Sequence, residues 1–386
     1  MGAACGAHVV HDGYTDVLYV MLPVWQAELG LGYAEVGMLR SVYSGAMATF
    51  QIPAGGIADK YGPAIVLAIG TVLAGAAFPL AGAAWGFIPL LAALVIGGIG
   101  ASVQHPIGSA IVSRAYEGRS SRAALGTYNF AGDVGKMILP ATAAFLLTVL
   151  PWRTAMWALF AIGILAAAAI LLYAPRRVRV VPGQAAAAPA LALSDAPKAP
   201  PSGFRLLLAI GIIDTATRSG FLTFLPFLLT AKGASLPTIG IALTLVFAGG
   251  AAGKLICAHL GARLGVLRTV LLTEGLTAFG ILALLPLPLE AGLAVLPLIG
   301  VALNGTSSVL YGTVPELVSD ARRTKAFSVF YTGAIGAGAG APILYGLFSD
   351  AIGVPAAMTI VAAFVLSTLP LAVLLNRVLP RHNTGA

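Results

Sequence analysis

Twelve separate stretches of about twenty mostly apolar residues run through this chain, and that pattern limits what it can fold into more than any other feature. They cover approximately 5–28, 34–58, 64–84, 86–111, 123–149, 154–174, 204–230, 235–259, 266–286, 291–314, 324–348 and 354–376. A hydrocarbon core about 30 Å thick takes about 20 residues of helix to cross. Lipid offers no partner to an unpaired backbone group, so each stretch is expected to be a helix. Only 9% of the 386 residues are charged, against roughly 25% in a soluble domain. Too few charges remain to cover a surface in water. The reading is an all-α membrane protein of twelve spans, and it excludes a cytosolic enzyme, a nucleic-acid binder and a secreted disulfide scaffold. Cys5 and Cys257 both lie in apolar runs, so neither a disulfide framework nor a zinc cluster is expected.

The first Lys or Arg is Arg40, so the start lacks the basic region of a secretory signal, and the first stretch reads as a span. The high Ala and Gly content hints at a bacterial source. The long polar segment 175–203, rich in Ala and Pro, divides the spans into halves at 1–174 and 204–386 and reads as a linker with no fold of its own. Loops on one side carry Lys60, Arg114, Arg119, Arg122, Arg176, Arg177, Arg179, Lys198, Arg205, Arg263, Arg268, Arg322, Arg323, Lys325, Arg377 and Arg381. The other side has only Arg153 and Lys232. The positive-inside rule then puts both termini and the linker in the cytoplasm, with the protein multi-pass in an inner membrane. This asymmetry accounts for the net charge of +8 without nucleic acid.

The halves look like repeats. Asp12 and Pro23 in span 1 match Asp214 and Pro226 in span 7; Ser102-Val103 with Pro106 matches Ser308-Val309 with Pro315. Two such repeats imply a site near the mid-membrane. An ionisable group there costs at least about 2.5–3.5 kcal/mol, so each is a functional candidate. Span 1 has His8, His11, Asp12, Thr15, Asp16 and Tyr19 on one helical stripe. Arg40 and Tyr43 lie on span 2, His105 on span 4, Asn129, Asp133 and Lys136 on span 5. The second half offers Asp214, Arg218, Lys254, Asn304 and Tyr311. Spans 3, 6, 9 and 12 are nearly bare of charge and are expected to face lipid, with Glu274 on span 9 read as structural. Arg40 is open to two readings, a pair with Glu35 or a cavity residue, and His105 to a substrate contact or a cap at the Pro106 kink. The spacings Asp133/Lys136 and Asp214/Arg218 suit local ion pairs that are either helix glue or switches. A carboxyl pair one turn apart, Asp12 and Asp16, suits proton exchange. His8, His11 and Asp12 could in principle hold a metal, but no metal site is assigned, and no cofactor beyond a proton gradient.

The loop after span 2 reads Gly55-Gly56-Ile57-Ala58-Asp59-Lys60-Tyr61-Gly62. It resembles the signature loop of the major facilitator superfamily, and with twelve spans and a central linker the resemblance covers the whole chain. The resemblance implies that Gly55, Asp59, Lys60 and Gly62 gate rather than bind. Its second copy, from Ala258 to Gly265, has Ala262 where the Asp would stand, so only the first half is expected to carry the clamp. Within the superfamily, His8…Asp12…Pro23, the run Gly98 to Pro106 and the run Gly126 to Pro140 are similar to the fosmidomycin-resistance efflux group. Ile107 departs from that group's usual acid, as do Asp133 and Lys136 from its uncharged residues.

The expected function is secondary transport by alternating access, as a proton-coupled antiporter exporting a small anionic organic compound. Asp12, Asp16, His11, Asp133 and Asp214 are expected to couple protons. Lys136, Arg218, Lys254, Arg40, His105, Asn129, Tyr19, Tyr43, Asn304 and Tyr311 are expected to meet substrate. The alternatives are organic-anion uptake or exchange, and a multidrug exporter in which Trp25, Tyr43 and Phe224 stack on lipophilic cations. The partners expected are the small molecule, protons and lipid, with the chain monomeric.

Overall fold

The computed structural model describes residues 1–116, 119–173, 200–319 and 323–379. Every regular element among them is a helix: α1 (Gly2–Leu29), α2 (Tyr33–Tyr61), α3 (Pro63–Gly82), α4 (Phe87–Ala101), α5 (Gln104–Ala115), α6 (Arg119–Val149), α7 (Trp152–Tyr173), α8 (Pro201–Ala231), α9 (Leu236–Leu284), α10 (Leu289–Leu317), α11 (Arg323–Ile352), α12 (Val354–Leu366) and α13 (Thr368–Val378). Each expected span is present. The fourth is broken at Ser102-Val103 into α4 and α5, and the twelfth at Ser367 into α12 and α13. The eighth and ninth run together as α9, interrupted at Gly265.

Ten helical segments are long and apolar enough to cross a membrane. α1 and α2 have the length but fall short in apolarity, because they carry the polar stripes. Large apolar side chains lie on the outside, among them Ile52, Trp85, Leu255 and Leu165, as lipid-facing helices require. Threonine hydroxyls are satisfied within their own helices, donating to the carbonyl one turn back, as Thr142 does to Ile138 and Thr313 to Val309.

The repeat shows in the backbone. Gly62 (φ 93) turns α2 into α3, and Gly265 (φ 77) makes the matching turn inside α9. A side chain at positive φ is strained, so both turns need glycine. The spacing from Gly62 to Gly265 equals that from Gly30 to Gly233, which also have positive φ, and that from Pro23 to Pro226.

The chain forms two compact units: Met1–Pro189 with Leu225–Phe247, and Ala190–Phe224 with Ala248–Ala386. The segment 225–247 joins the first unit through local contacts. Thr244 donates to the Met137 carbonyl (2.8 Å), and Phe227 meets the edge of Tyr33 (5.4 Å). The expected linker lies almost wholly outside the described residues, as do Arg176, Arg177, Arg179, Lys198, Arg322 and Arg381.

Candidate substrate and proton site

In the first unit α1 and α6 lie close because glycines face each other. A Cβ on Gly135 would stand 2.1 Å from the Val9 carbonyl oxygen, and one on Gly132 would stand 2.7 Å from both Asp12 Oδ2 and His8 Nε2. Small residues allow such approach in membranes. The approach brings Lys136 of α6 to Asp12 of α1, with Nζ 3.3 Å from Oδ2. The same ammonium is 3.7 Å from Asp133 Oδ1. The Asp12 side chain is 11% exposed and that of Lys136 30%.

Two histidines complete the cluster. His8 Nε2 is 3.3 Å from Asp12 Oδ1, and His105 Nε2 is 3.7 Å from the same oxygen. His8 Nδ1 lies 2.8 Å from the Tyr128 carbonyl. A carbonyl only accepts, so Nδ1 carries a proton. The contact between Nε2 and Asp12 is then favourable only with one more proton, on the ring or on the carboxyl. Tyr128 stacks on His8 (centroids 4.1 Å apart) and is held by Gln104 Nε2, which donates to its hydroxyl at 3.0 Å.

His11 faces elsewhere. Its Nε2 is 2.8 Å from Thr71 Oγ1, and that hydroxyl donates to Leu67 O. His11 Nε2–H is therefore the donor, and buried Nδ1 has no hydrogen-bond partner. His11 anchors α1 to α3 rather than joining the Asp12 cluster. The third span is therefore not purely lipid-facing: it supplies fully buried Thr71.

Farther along α1, Tyr19 accepts a hydrogen bond from Arg40 Nη2 (2.9 Å). Arg40 is 8% exposed, and its Nε and Nη1 have no hydrogen-bond partner. The alternative partner, Glu35, instead accepts from Gly32 N at the start of its own helix (2.9 Å). Asp16 is buried one turn from Asp12. Tyr43 is buried, 3.4 Å from Thr15 Oγ1. Asn129 is exposed.

In the second unit Asp214 is 3% and Glu274 1% exposed. The two carboxyls are neighbours, each acting on the charge of the other. The expectation that span 9 faces lipid is thus corrected: it carries a fully buried carboxyl, Glu274, against span 7. A helix with one acidic residue looks bare in sequence, and its partner two spans away is not legible there. Arg218 acts on both carboxyls through space but makes no direct ion pair with Asp214, so the expected i, i+4 pair is absent from the structure. Lys254 is half-buried. Asn304 Nδ2 donates to Gly300 O (3.2 Å), and Tyr311 packs on Phe330 and Tyr331.

Gly55, Asp59 and Lys60, expected from the sequence to gate, lie toward the end of α2, with Gly62 just after it. Asp59 and Lys60 are exposed, with Lys60 Nζ 5.1 Å above the Tyr61 ring. His8, Asp12 and His105 have donor atoms close enough together for a metal ion, but the Lys136 ammonium already occupies one face of Asp12. Trp25, Tyr43 and Phe224 are all buried.

Known proteins match this architecture. The Major Facilitator Superfamily sequence profile matches residues 4–210 and 207–386. The probable L-galactonate transporter of Escherichia coli is 28% identical over 126 residues, 33% of this chain and 28% of that protein. The probable 4-methylmuconolactone transporter of Cupriavidus pinatubonensis is 26% identical over 353 residues, 88% of this chain and 80% of that protein. The fosmidomycin resistance protein of Escherichia coli is 29% identical over 149 residues, 38% of this chain and 36% of that protein. The crystal structure of a bacterial homologue of the human lysosomal transporter Spinster, inward-facing and occupied, superposes with a TM-score of 0.79 at 17% identity, covering 97% of this chain and 96% of that one. With the profile matching along both halves, the chain belongs to the Major Facilitator Superfamily, as a multi-pass membrane transporter.

Proposed function

We propose that this protein carries a small organic anion together with a proton, by alternating access across a bacterial inner membrane with both termini in the cytoplasm. One observation carries the reading: the cation an anionic substrate would need, Lys136, is held 3.3 Å from Asp12. An anion that takes Lys136 leaves Asp12 buried without its ammonium. Burial and loss of that cation both favour the protonated carboxyl, and His8 and His105 stand beside it. Protonating Asp12 first has the converse effect and frees Lys136. The linkage is reciprocal, so each ligand strengthens the other.

The charges of the unit support this. Asp12, Asp16 and Asp133 are set against two permanent cations, Lys136 and Arg40. A further carboxylate is accommodated only with a proton. The unpaired Nε and Nη1 of Arg40 offer a second anchor for it. Arg218 and Lys254 are the cations proposed for the same role in the second unit, and Asp59 is proposed as a gate. The named substrates of two relatives, L-galactonate and 4-methylmuconolactone, are of the matching class.

Proton-driven export of an anion, the direction expected from the sequence, would require anion and proton to compete. The Asp12–Lys136 contact makes them cooperate, which favours symport and therefore uptake. A lipophilic cation would compete with the proton at Asp12 and suit export, but the buried Trp25, Tyr43 and Phe224 offer it no open ring face. Counterflow of labelled L-galactonate in proteoliposomes tests the substrate class. Accumulation, inhibited by other sugar acids and not by lipophilic cations, is expected; inhibition by the cations alone would refute the proposal.

A further inference from the structure

The second unit holds two acids where the proposed mechanism has used neither. Asp214 of α8 and Glu274 of α9 touch in a site from which solvent is almost excluded, 3% and 1% exposed. Two buried carboxylates in contact cannot both stay ionised. The neighbouring hydroxyls offer the pair no proton of their own. Thr273 Oγ1 donates to the Thr269 carbonyl (2.9 Å). Thr306 Oγ1, from α10, donates to Thr273 Oγ1 (2.7 Å). Both hydroxyl hydrogens are thus committed away from Glu274. Glu274 Oε1 has no hydrogen-bond partner, as suits the carbonyl oxygen of a neutral acid better than a charged one.

The remaining groups leave room for one proton. Arg218, one turn from Asp214 on α8, is the cation acting on the pair. From α10, Tyr311 faces Asp214 and Arg218, and Tyr331 of α11 stands against Tyr311, ring centroids 4.6 Å apart. One guanidinium and one shared proton together balance two carboxyls.

We propose that Asp214 and Glu274 form a second proton site of the carrier, holding a single proton between them that leaves to water as Asp214 turns to Arg218. Its part in transport rests on the proton-linked reading above; its occupancy does not. Infrared difference spectroscopy of the full-length protein, titrated with acid and base, reads that occupancy without flux. A protonated-carboxyl C=O band is expected that persists in the Asp12→Asn/Asp16→Asn variant and is lost in Glu274→Gln. Should Glu274→Gln fail to fold, Asp214→Asn, which removes the other member of the pair, shifts or abolishes the same band. A band unchanged by both variants, or no such band outside Asp12 and Asp16, overturns the proposal. In proteoliposomes, Glu274→Gln is expected to keep L-galactonate exchange and lose accumulation driven by a pH gradient. Loss of both in Asp12→Asn with the band intact would instead count against the first site alone.

Discussion

Removing the negative charge at Asp12 should make the protein bind its substrate more tightly while ruining its ability to concentrate it. In Asp12→Asn, Lys136 loses the carboxylate 3.3 Å away that competes with an anionic ligand. Hydrogen bonds to charged groups contribute about 1.5–3 kcal/mol, and each 1.4 kcal/mol is tenfold in Kd. Anion affinity at about pH 8 should therefore rise by roughly 10- to 150-fold. The lower part of that range is expected, because Asp133 still lies 3.7 Å from the ammonium. With one proton accompanying the anion, as proposed, affinity in the unaltered protein should fall by up to about tenfold per pH unit once Asp12 has ionised. The variant should lose that slope. Calorimetric titration of the detergent-purified protein with L-galactonate, from about pH 5.5 to about pH 8, measures both. Weaker binding than the parent at about pH 8, or an unchanged slope, would refute the competition.

Lys136→Ala should do the opposite and weaken L-galactonate by roughly 10- to 150-fold at about pH 5.5; unchanged affinity in the same titration would remove Lys136 from the site. Gly135→Ala drives a Cβ to 2.1 Å from the Val9 carbonyl, a backbone atom, so α6 must leave α1. Such overpacking costs about 1–3 kcal/mol or more, and size-exclusion profiles should show loss of folded protein, while Gly126→Ala, which meets nothing within 4 Å, should behave as the parent. Gly265→Ala puts a side chain at φ 77, ψ 169, a region nearly exclusive to glycine, and should lower thermal stability by about 1–3 kcal/mol. Arg153→Ala removes an exposed pair with Glu28 (2.6 Å, side chains 48% and 40% exposed) and should leave melting and transport unchanged.

The spans were legible because lipid makes a single demand on every segment, so hydropathy alone marks Pro63–Gly82 or Trp152–Tyr173 as helix. The stripe His8, Asp12, Asp16, Tyr19 was legible for a related reason: helical period arranges those residues on one face whatever the rest does. What they meet was not. Spacing alone pairs Lys136 with Asp133, yet Lys136 is closer to Asp12 on another helix, through glycines whose role depends on the neighbour. Arg40 and Glu35 are near in sequence, but a helix start claims one and Tyr19 the other. His11 belonged to the stripe by period and was drawn from it by Thr71, a residue on a span that charge counting marked as blank. Glu274 shows the same blindness at its largest. A lone acid in an apolar helix reads as an isolated burden until the acid it touches, Asp214, is brought to it by the fold.

The direction of proton movement tests the central claim most directly. Proteoliposomes loaded with a pH-sensitive dye and given external L-galactonate, with no imposed gradient, should acidify inside as the anion enters, and should not do so with Asp12→Asn. Entry of the anion with internal alkalinisation, or with no change in pH, would contradict cooperative binding of anion and proton at Asp12 and Lys136.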